Sequence, residues 1–468
     1  MQSITISFIF FILLMIAVGW WSSAKSKHNT SDYLLAGRSI GPWSVGLSAL
    51  ATSLSGFMFI GYIGYVYTTG YSGIWYLLTW ALGDLLAWFT IHKKLREKSE
   101  SLKVDTITAF ISTDSNKTHK IIVQISSIIS LFFLIIYSSA QLKTSSKALH
   151  SIMHIEPFWG VIIAGLIVFL YSYSGGVRSS ISTNVIQAIM MCVSMQILCI
   201  SSIIKVGGLN LLTERLGSID PQLINFAPQS SVIYFAIFLF SLFVNGYGVI
   251  GQPHIMSRPM TLENPSDMKY ARNVYIIGYM ILGLGSYGVG LTARVLMPEM
   301  INLDPELAFP YLSINLLPGF LVGLMLAGVF AAALSTADSQ ILSCSASLTQ
   351  DLFPKYKNSF SFSRLVTILF TIASASFALF SSQNVFDLVI VAWAILAVCF
   401  GPLVVIRCFD IPVSPLTAIT MMLSSGVAVM VWRYVFHLNE VVHETLIGLI
   451  CSLVIFGISR YVKKPLTK

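Results

Sequence analysis

Residues 331–351 read Ala-Ala-Ala-Leu-Ser-Thr-Ala-Asp-Ser-Gln-Ile-Leu-Ser-Cys-Ser-Ala-Ser-Leu-Thr-Gln-Asp, a small and hydroxyl-rich run that closes an otherwise apolar segment beginning at Phe320. A bilayer core holds no water to satisfy hydroxyls. Such a face must pack on another helix, line an aqueous cavity or ligate something. The adjacent hydroxyls of Ser335 and Thr336 offer hard oxygen ligands to a small cation. Asp338 adds an ionisable group where charge is costly, and Asp84 in Leu82-Gly-Asp-Leu-Leu86 does the same. Each is read either as a handler of cations or protons or as a structural carboxylate: for Asp338 a buried one tied to Ser or backbone donors, for Asp84 one in a cytoplasm-facing vestibule.

The elements that must position these groups are membrane helices. The chain has 468 residues, of which 55% are hydrophobic and only 10% charged, a balance that excludes a soluble globule. Apolar runs long enough to cross a hydrocarbon core of ~30 Å recur along the whole length. Thirteen are expected: 3–23, 43–67, 71–92, 121–142, 156–174, 181–204, 230–252, 272–296, 318–349, 364–382, 387–406, 412–435 and 442–460. The first lacks the basic start and cleavage site of a signal peptide. No soluble domain fits between the spans, so a single membrane domain over 1–468 is expected.

Two spans are damaged as helices. Span two contains Ser48-Ala-Leu-Ala-Thr-Ser-Leu-Ser-Gly56, then Gly61 and Gly64, and span seven contains Asn245-Gly-Tyr-Gly-Val-Ile-Gly-Gln-Pro253. Gly and Pro at this density free backbone groups that lipid cannot satisfy. The breaks lie five spans apart. They therefore open two successive five-helix units, spans 2–6 and 7–11, and an odd number of helices per unit inverts the second. Matched interruptions of this kind point to a transporter binding site. Close helix packing is the alternative use of the same Gly and Ser residues.

The net charge of +8 is a topology signal rather than a nucleic-acid footprint. With the N-terminus outside, 22 of the 28 Lys and Arg residues fall on cytoplasmic segments, which places the C-terminus inside. The longest charged loop, 93–120, carries Val104-Asp-Thr-Ile-Thr-Ala-Phe-Ile111, expected as a short amphipathic helix on the membrane surface. The six cysteines (192, 199, 344, 399, 408, 451) lie in or beside apolar runs, show no metal-ligand spacing and imply no disulfide framework. The eight histidines form no H-E-x-x-H pattern, and no convergent nucleophile–base set suggests an enzyme.

Five motifs in order carry a resemblance. Asp32-Tyr-Leu-Leu-Ala-Gly-Arg-Ser39 follows span one, and the Ser/Ala/Gly break occupies span two. Tyr173-Ser-Gly-Gly-Val-Arg178, with Gln187, joins spans five and six. Gly251-Gln-Pro-His-Ile255 ends span seven and is followed by Arg258. Ser335-Thr-Ala-Asp-Ser-Gln340 sits in span nine. Together they resemble the sodium/solute symporter family, most closely its sodium/proline symporter branch, over nearly the whole chain and more weakly after about residue 410. The resemblance implies an all-α membrane protein with an extra N-terminal span (1–30), two inverted repeats (43–204 and 230–408), two C-terminal spans (411–468) and alternating access. It implies one sodium ion held by the carbonyls of Ala51, Leu54 and Ala332 and the hydroxyls of Ser335 and Thr336. Five neutral oxygens can replace a hydration shell, and an unwound helix exposes carbonyls to do so.

The same resemblance marks departures. The proline branch carries an acid where this chain has Ser53, and many members carry Asp where it has Asn184. Both changes remove negative charge near the ion path and favour one coupling ion. The substrate is expected beside Ser53, Ser55, Gly56 and Tyr137. Asn245 and Val249 stand where the branch has aromatic residues, which would open the pocket wall and add an amide. Proline, another small amino acid or a carboxylate are the expected solutes. Gln252 and His254 are expected at the cytoplasmic end of span seven, shaping an inner gate or packing locally. The expected protein is a monomeric, sodium-coupled importer of the cell membrane with no cofactor and no nucleic-acid partner. Proton coupling is the alternative within transport. A membrane solute sensor, which would call for an appended signalling domain, is the alternative of another class.

Overall fold

A computed structural model gives the structure of the protein and describes residues 2–23, 30–114, 117–227, 231–357, 359–381, 384–439 and 441–462. The architecture is carried by α1 (Gln2–Ser23), α2 (Pro42–Leu54), α3 (Gly61–Thr69), α4 (Ile74–Thr90), α5 (Lys120–Met153), α6 (Pro157–Val206) and α7 (Val232–Tyr247). It continues through α8 (Pro253–Met260), α9 (Met268–Leu296), α10 (Gly319–Ala346), α11 (Phe360–Phe380), α12 (Val385–Cys408), α13 (Pro415–Tyr434) and α14 (Glu444–Val462). The one sheet among the described residues is a two-residue pairing of Thr113–Asp114 with Lys117–Thr118. The chain is thus all-α, as its composition predicts.

Among the described residues ten helices are long and apolar enough to cross a membrane, or up to eleven if the bent pair Pro42–Leu54 and Gly56–Thr90 counts as one span. That pair takes up the second and third expected spans and turns by 57° at its junction. The fifth expected span is the shorter apolar helix Pro157–Leu170. Length and composition therefore do not establish the expected count of thirteen. α10 and α12 are the most enclosed helices, whereas α1, α13 and α14 lie at the periphery.

Both expected breaks are present. α2 starts with Pro at its first turn, where a missing N–H costs nothing. It ends at Ser55, whose φ of 35° is rare for a residue with a Cβ. The Ser55 hydroxyl accepts from the Phe57 N–H at 3.1 Å, and Gln141 Oε1 of α5 accepts from the Gly56 N–H at 3.0 Å. The orphaned backbone groups are therefore met by protein. α7 ends at Tyr247, a tight turn follows over Gly248–Gly251, and extended Gln252 leads into Pro253 of α8.

A third interruption divides α6. Gly176 has φ 59°, and a Cβ there would lie 2.5 Å from the Tyr33 ring and 2.6 Å from its carbonyl oxygen. Here Arg178 donates to Asp32 Oδ1 at 2.6 Å and to the Ala36 carbonyl at 2.6 Å, so two of the sequence motifs meet. The Tyr173 and Ser174 side chains of that motif fall outside what is described.

The expected surface helix in the 93–120 loop is instead a six-residue helix, Ile107–Ser112, packed inward with Phe110 and Ile111 buried. Thr106 caps it, accepting from the Ala109 N–H at 3.0 Å, and also donates to Asp351 at 2.9 Å. Thr108 donates to the same carboxylate. Its hydroxyls thus grip the end of span nine rather than facing lipid headgroups.

On the opposite side Glu306 accepts from the Phe386 N–H at 3.0 Å and the Val385 N–H at 3.3 Å, capping α12, and pairs with Lys147 of α5 at 2.5 Å. Glu306→Ala is expected to destabilise the protein by about 1–2 kcal/mol. Thermal unfolding of the purified variant in detergent checks this, and an unchanged transition would refute the cap.

Candidate functional site

The hydroxyl-rich stretch of α10 meets the last turn of α2. Ser335 Oγ lies 2.8 Å from the Ala51 carbonyl oxygen and 2.9 Å from that of Ala332, donating to them. Thr336 Oγ1 lies 3.4 Å from the Ala51 carbonyl, 3.2 Å from that of Ala332 and 3.0 Å from that of Thr52. Four of the five expected ligand residues are therefore clustered. Leu54 stands at the end of α2, at the break. Thr52, which sequence reading passed over, contributes the further carbonyl.

One layer away lies a buried polar network. Asn184 Nδ2 of α6 donates to Ser48 Oγ at 3.2 Å and Thr52 Oγ1 at 3.1 Å. Thr52 Oγ1 is 3.1 Å from Ser339 Oγ, and Ser339 donates to the Ser335 carbonyl at 2.6 Å. Arg258 of α8, 1% exposed, donates to Ser180 at 2.9 Å and also to Ser339. Asn184 is thus tied to α2, two bonds from the ion-ligand candidates. Asp338 is fully buried and acts electrostatically on the Tyr33 hydroxyl. Outside the spans, Arg38 lies 3.8 Å from Asp105; burial pushes the Asp105 carboxyl up while Arg38 holds it down. Arg38 also donates to the carbonyls of Met260 and Val104, at 3.1 and 3.0 Å, which seals this side of the molecule.

On the other side of the α2 break sits a small chamber of about 20 Å³. Its lining includes Ser53, Leu54, Phe57, Tyr62, Tyr76 and Trp80, with Tyr137 from α5, Tyr279 from α9 and Trp393 from α12. The rings pack on one another: Trp80 and Trp393 at 4.9 Å, Tyr76 and Trp80 at 5.2 Å. A space of that size holds about one water, so a solute enters only if these rings move. Tyr76 also lines a vestibule of about 690 Å³ with Asp387, Arg433, His443 and Glu444 among its residues.

One expectation differs from the structure. Asn245 and Val249 are absent from the chamber lining. The Asn245 amide oxygen accepts from Thr445 at 2.8 Å, and its backbone carbonyl accepts from the Trp393 indole at 2.9 Å. The wall is aromatic because Trp393 and Tyr279 fill it. His254 shows the second of its two expected roles, local packing: it lies in the first turn of α8 directly after the break and packs edge-on against Tyr137 at 5.4 Å. Gln252 Nε2 donates to the Trp393 carbonyl at 2.9 Å. Of the other expected residues, Ser53, Leu54 and Tyr137 line the chamber, Ser55 and Gly56 form the turn beneath it, and Asp84 reaches it through Tyr275. Trp80 with Asp84, and Tyr275 with Tyr279, stand four apart on α4 and α9. That one-face spacing was the available signal for the residues missed.

Broken helices with clustered oxygens beside a ring-lined chamber define a membrane transporter and not an enzyme. Over residues 33–423 the chain matches the sodium:solute symporter family, and it belongs to that family. It is 30% identical to the sodium/proline symporter of Staphylococcus aureus (strain JH9), over 97% of this chain and 92% of that protein, and equally to that of strain COL. Its fold is similar to the substrate-bound outward-open state of a Na+-coupled sialic acid symporter, with TM-score 0.81, 18% identity and coverage of 99% and 98% of the two chains. It also resembles Mhp1, a nucleobase-cation-symport-1 family transporter, with TM-score 0.58, 14% identity and coverage of 93% and 96%.

Proposed function

We propose that this chain imports a small amino acid, proline or one like it, by sodium-coupled alternating access. The observation that carries the reading is the convergence of Ser335 Oγ and Thr336 Oγ1 on the Ala51 and Ala332 carbonyls. Sodium is proposed to bind these oxygens together with the Leu54 carbonyl. A neutral site of this kind releases its ion readily. The *S. aureus* relative's name, sodium/proline symporter, supports both ion and solute. An aromatic chamber suits the apolar body of such a solute, and the Ser53 hydroxyl on the chamber wall suits its carboxylate. Ser55, Gly56 and Tyr137 complete that proposed surface.

The proposal includes an outside N-terminus, an inside C-terminus and a vestibule that faces outside. It includes inverted repeats over 43–204 and 230–408, and function as a monomer in the cell membrane. The energetics suffice. A 100 mV potential supplies ~2.3 kcal/mol per charge and a tenfold sodium gradient ~1.4 kcal/mol. One ion then sustains accumulation on the order of several hundredfold. Radiolabelled uptake into proteoliposomes, over a panel of small amino acids and carboxylates, tests the reading. Flux stimulated by an inward sodium gradient is expected. Flux only with a pH gradient in sodium-free medium would decide for proton coupling.

A further inference from the structure

Asp84 of α4 is completely buried one turn from Trp80. Among the described residues no Lys, Arg or His forms an ion pair with it, and its Oδ1 has no hydrogen-bond partner. Its Oδ2 is bonded to the Tyr275 hydroxyl of α9, and that hydroxyl lies 3.0 Å from Ser53 Oγ. Ser53 is 9% exposed and lines the chamber. A carboxylate, a phenol and an alcohol thus form a line that starts in the protein interior and ends at the proposed solute.

A hydroxyl has one proton to donate, so this line has two polarities. With Asp84 ionised, Tyr275 donates to Asp84, Ser53 donates to Tyr275, and Ser53 shows the chamber only lone pairs. With Asp84 protonated on Oδ2, Asp84 donates to Tyr275, Tyr275 donates to Ser53, and the Ser53 proton turns to the chamber. A buried carboxylate without a positive partner is costly as an anion. Among the described residues no group of three or more His, Cys, Asp or Glu side chains is gathered to hold a metal ion here. The proton is therefore the cation this place fits. We propose that Asp84 binds a proton, and that through Tyr275 this proton turns Ser53 into a hydrogen-bond donor for the carboxylate of the solute.

The inference rests on the proposed uptake of a carboxylate-bearing solute. The other titratable or charged groups facing this part of α4 are Tyr279 and Arg272 of α9, Tyr247 of α7, and His92 stacked on Trp88. The experiment is sodium-driven uptake in proteoliposomes at saturating sodium, with KM measured from pH 5.5 to 8.5. In the unmodified protein KM should fall about three- to tenfold toward low pH, where the solute carboxylate is still ionised. Asp84→Asn, whose amide donates to Tyr275 at every pH, should hold KM near its low-pH value throughout. Ser53→Ala should hold it near the high-pH value. Unmodified protein with a pH-independent KM, or Asp84→Asn with the unmodified profile, would overturn the inference. The second result would assign the profile to a group such as His92. Absence of all sodium-stimulated flux would instead sink the proposed function, so the two failures are distinct.

Discussion

Ser335→Ala and Thr336→Ala are each expected to raise the sodium concentration for half-maximal uptake by about 10- to 100-fold. The estimate follows from removing one oxygen bound to a charged partner, about 1.5–3 kcal/mol, with each 1.4 kcal/mol worth a factor of ten. Both hydroxyls are fully buried and reach across from α10 to the Ala51 carbonyl of α2. Removing one also deletes hydrogen bonds between the helices, each worth about 1 kcal/mol net, too little to unfold the protein. Abundance should therefore stay close to normal while sodium activation shifts. Thr336→Ser keeps the oxygen and should restore most of the affinity, which a purely steric role for the methyl group would not allow. Sodium titrations of uptake at fixed solute decide the matter. Normal sodium dependence in both Ala variants, at normal abundance, would remove these residues from the ion site.

Gly246→Ala is expected to be among the most damaging single-methyl changes. A Cβ at Gly246 of α7 would fall 2.2 Å from the Trp80 carbonyl oxygen and 2.7 Å from its Cα, both backbone atoms of α4. From the other side, a Cβ at Gly83 would fall 2.1 Å from the Phe243 oxygen and 2.5 Å from the Tyr247 nitrogen. The two backbones touch, as small residues allow in membrane helices, and no side chain can swing away to absorb a methyl. Overpacking of a core typically costs about 1–3 kcal/mol, and backbone against backbone belongs at the upper end. The displacement would also move Trp80 off the chamber wall and disturb a break two residues further along α7. A lowered unfolding temperature and loss of most uptake are expected. Gly457→Ala, with no atom within 4 Å of the added Cβ, is the matched control and should be neutral or slightly stabilising. Gly246→Ala with normal stability and uptake would show that the helices can part without consequence.

The breaks in spans two and seven were legible because Gly, Ser and Pro at that density cannot sustain a helix in lipid. The hydroxyl pair Ser335–Thr336 was legible for the same environmental reason. What escaped was partnership. Sequence spacing says that Tyr275 and Tyr279 share a face of α9, but not that this face meets Asp84 and Ser53. Asn245 was read as a pocket residue because it stands where the proline branch has an aromatic residue, yet Thr445, some 200 positions away, takes its amide oxygen. The 104–111 helix was read as lying on the membrane because it is amphipathic. Its polar side in fact serves Asp351, at the end of a helix far along the chain. Hydrophobic pattern reports how far a residue stands from water, and says little about which distant neighbour takes its polar atoms.

The two ends of the chamber are closed by different kinds of matter. Toward the vestibule the cover is aromatic: Tyr65 stacks on Phe386 at 5.5 Å, and Phe386 lies tilted against Phe57 at 5.4 Å. Rings of this sort yield by turning about side-chain bonds, without the shift of a whole segment. Toward the other face the closure is a set of bonds between helices and loops, from Arg258 to Ser180, Arg38 to Met260 and Arg96 to Leu262. Those yield only when whole segments shift, a μs–ms event. The two closures therefore open by different motions, one local and one collective. If solute enters from the vestibule as proposed, the protein is expected to behave as a kinetic valve, in which solute samples the chamber many times for each passage through the far side.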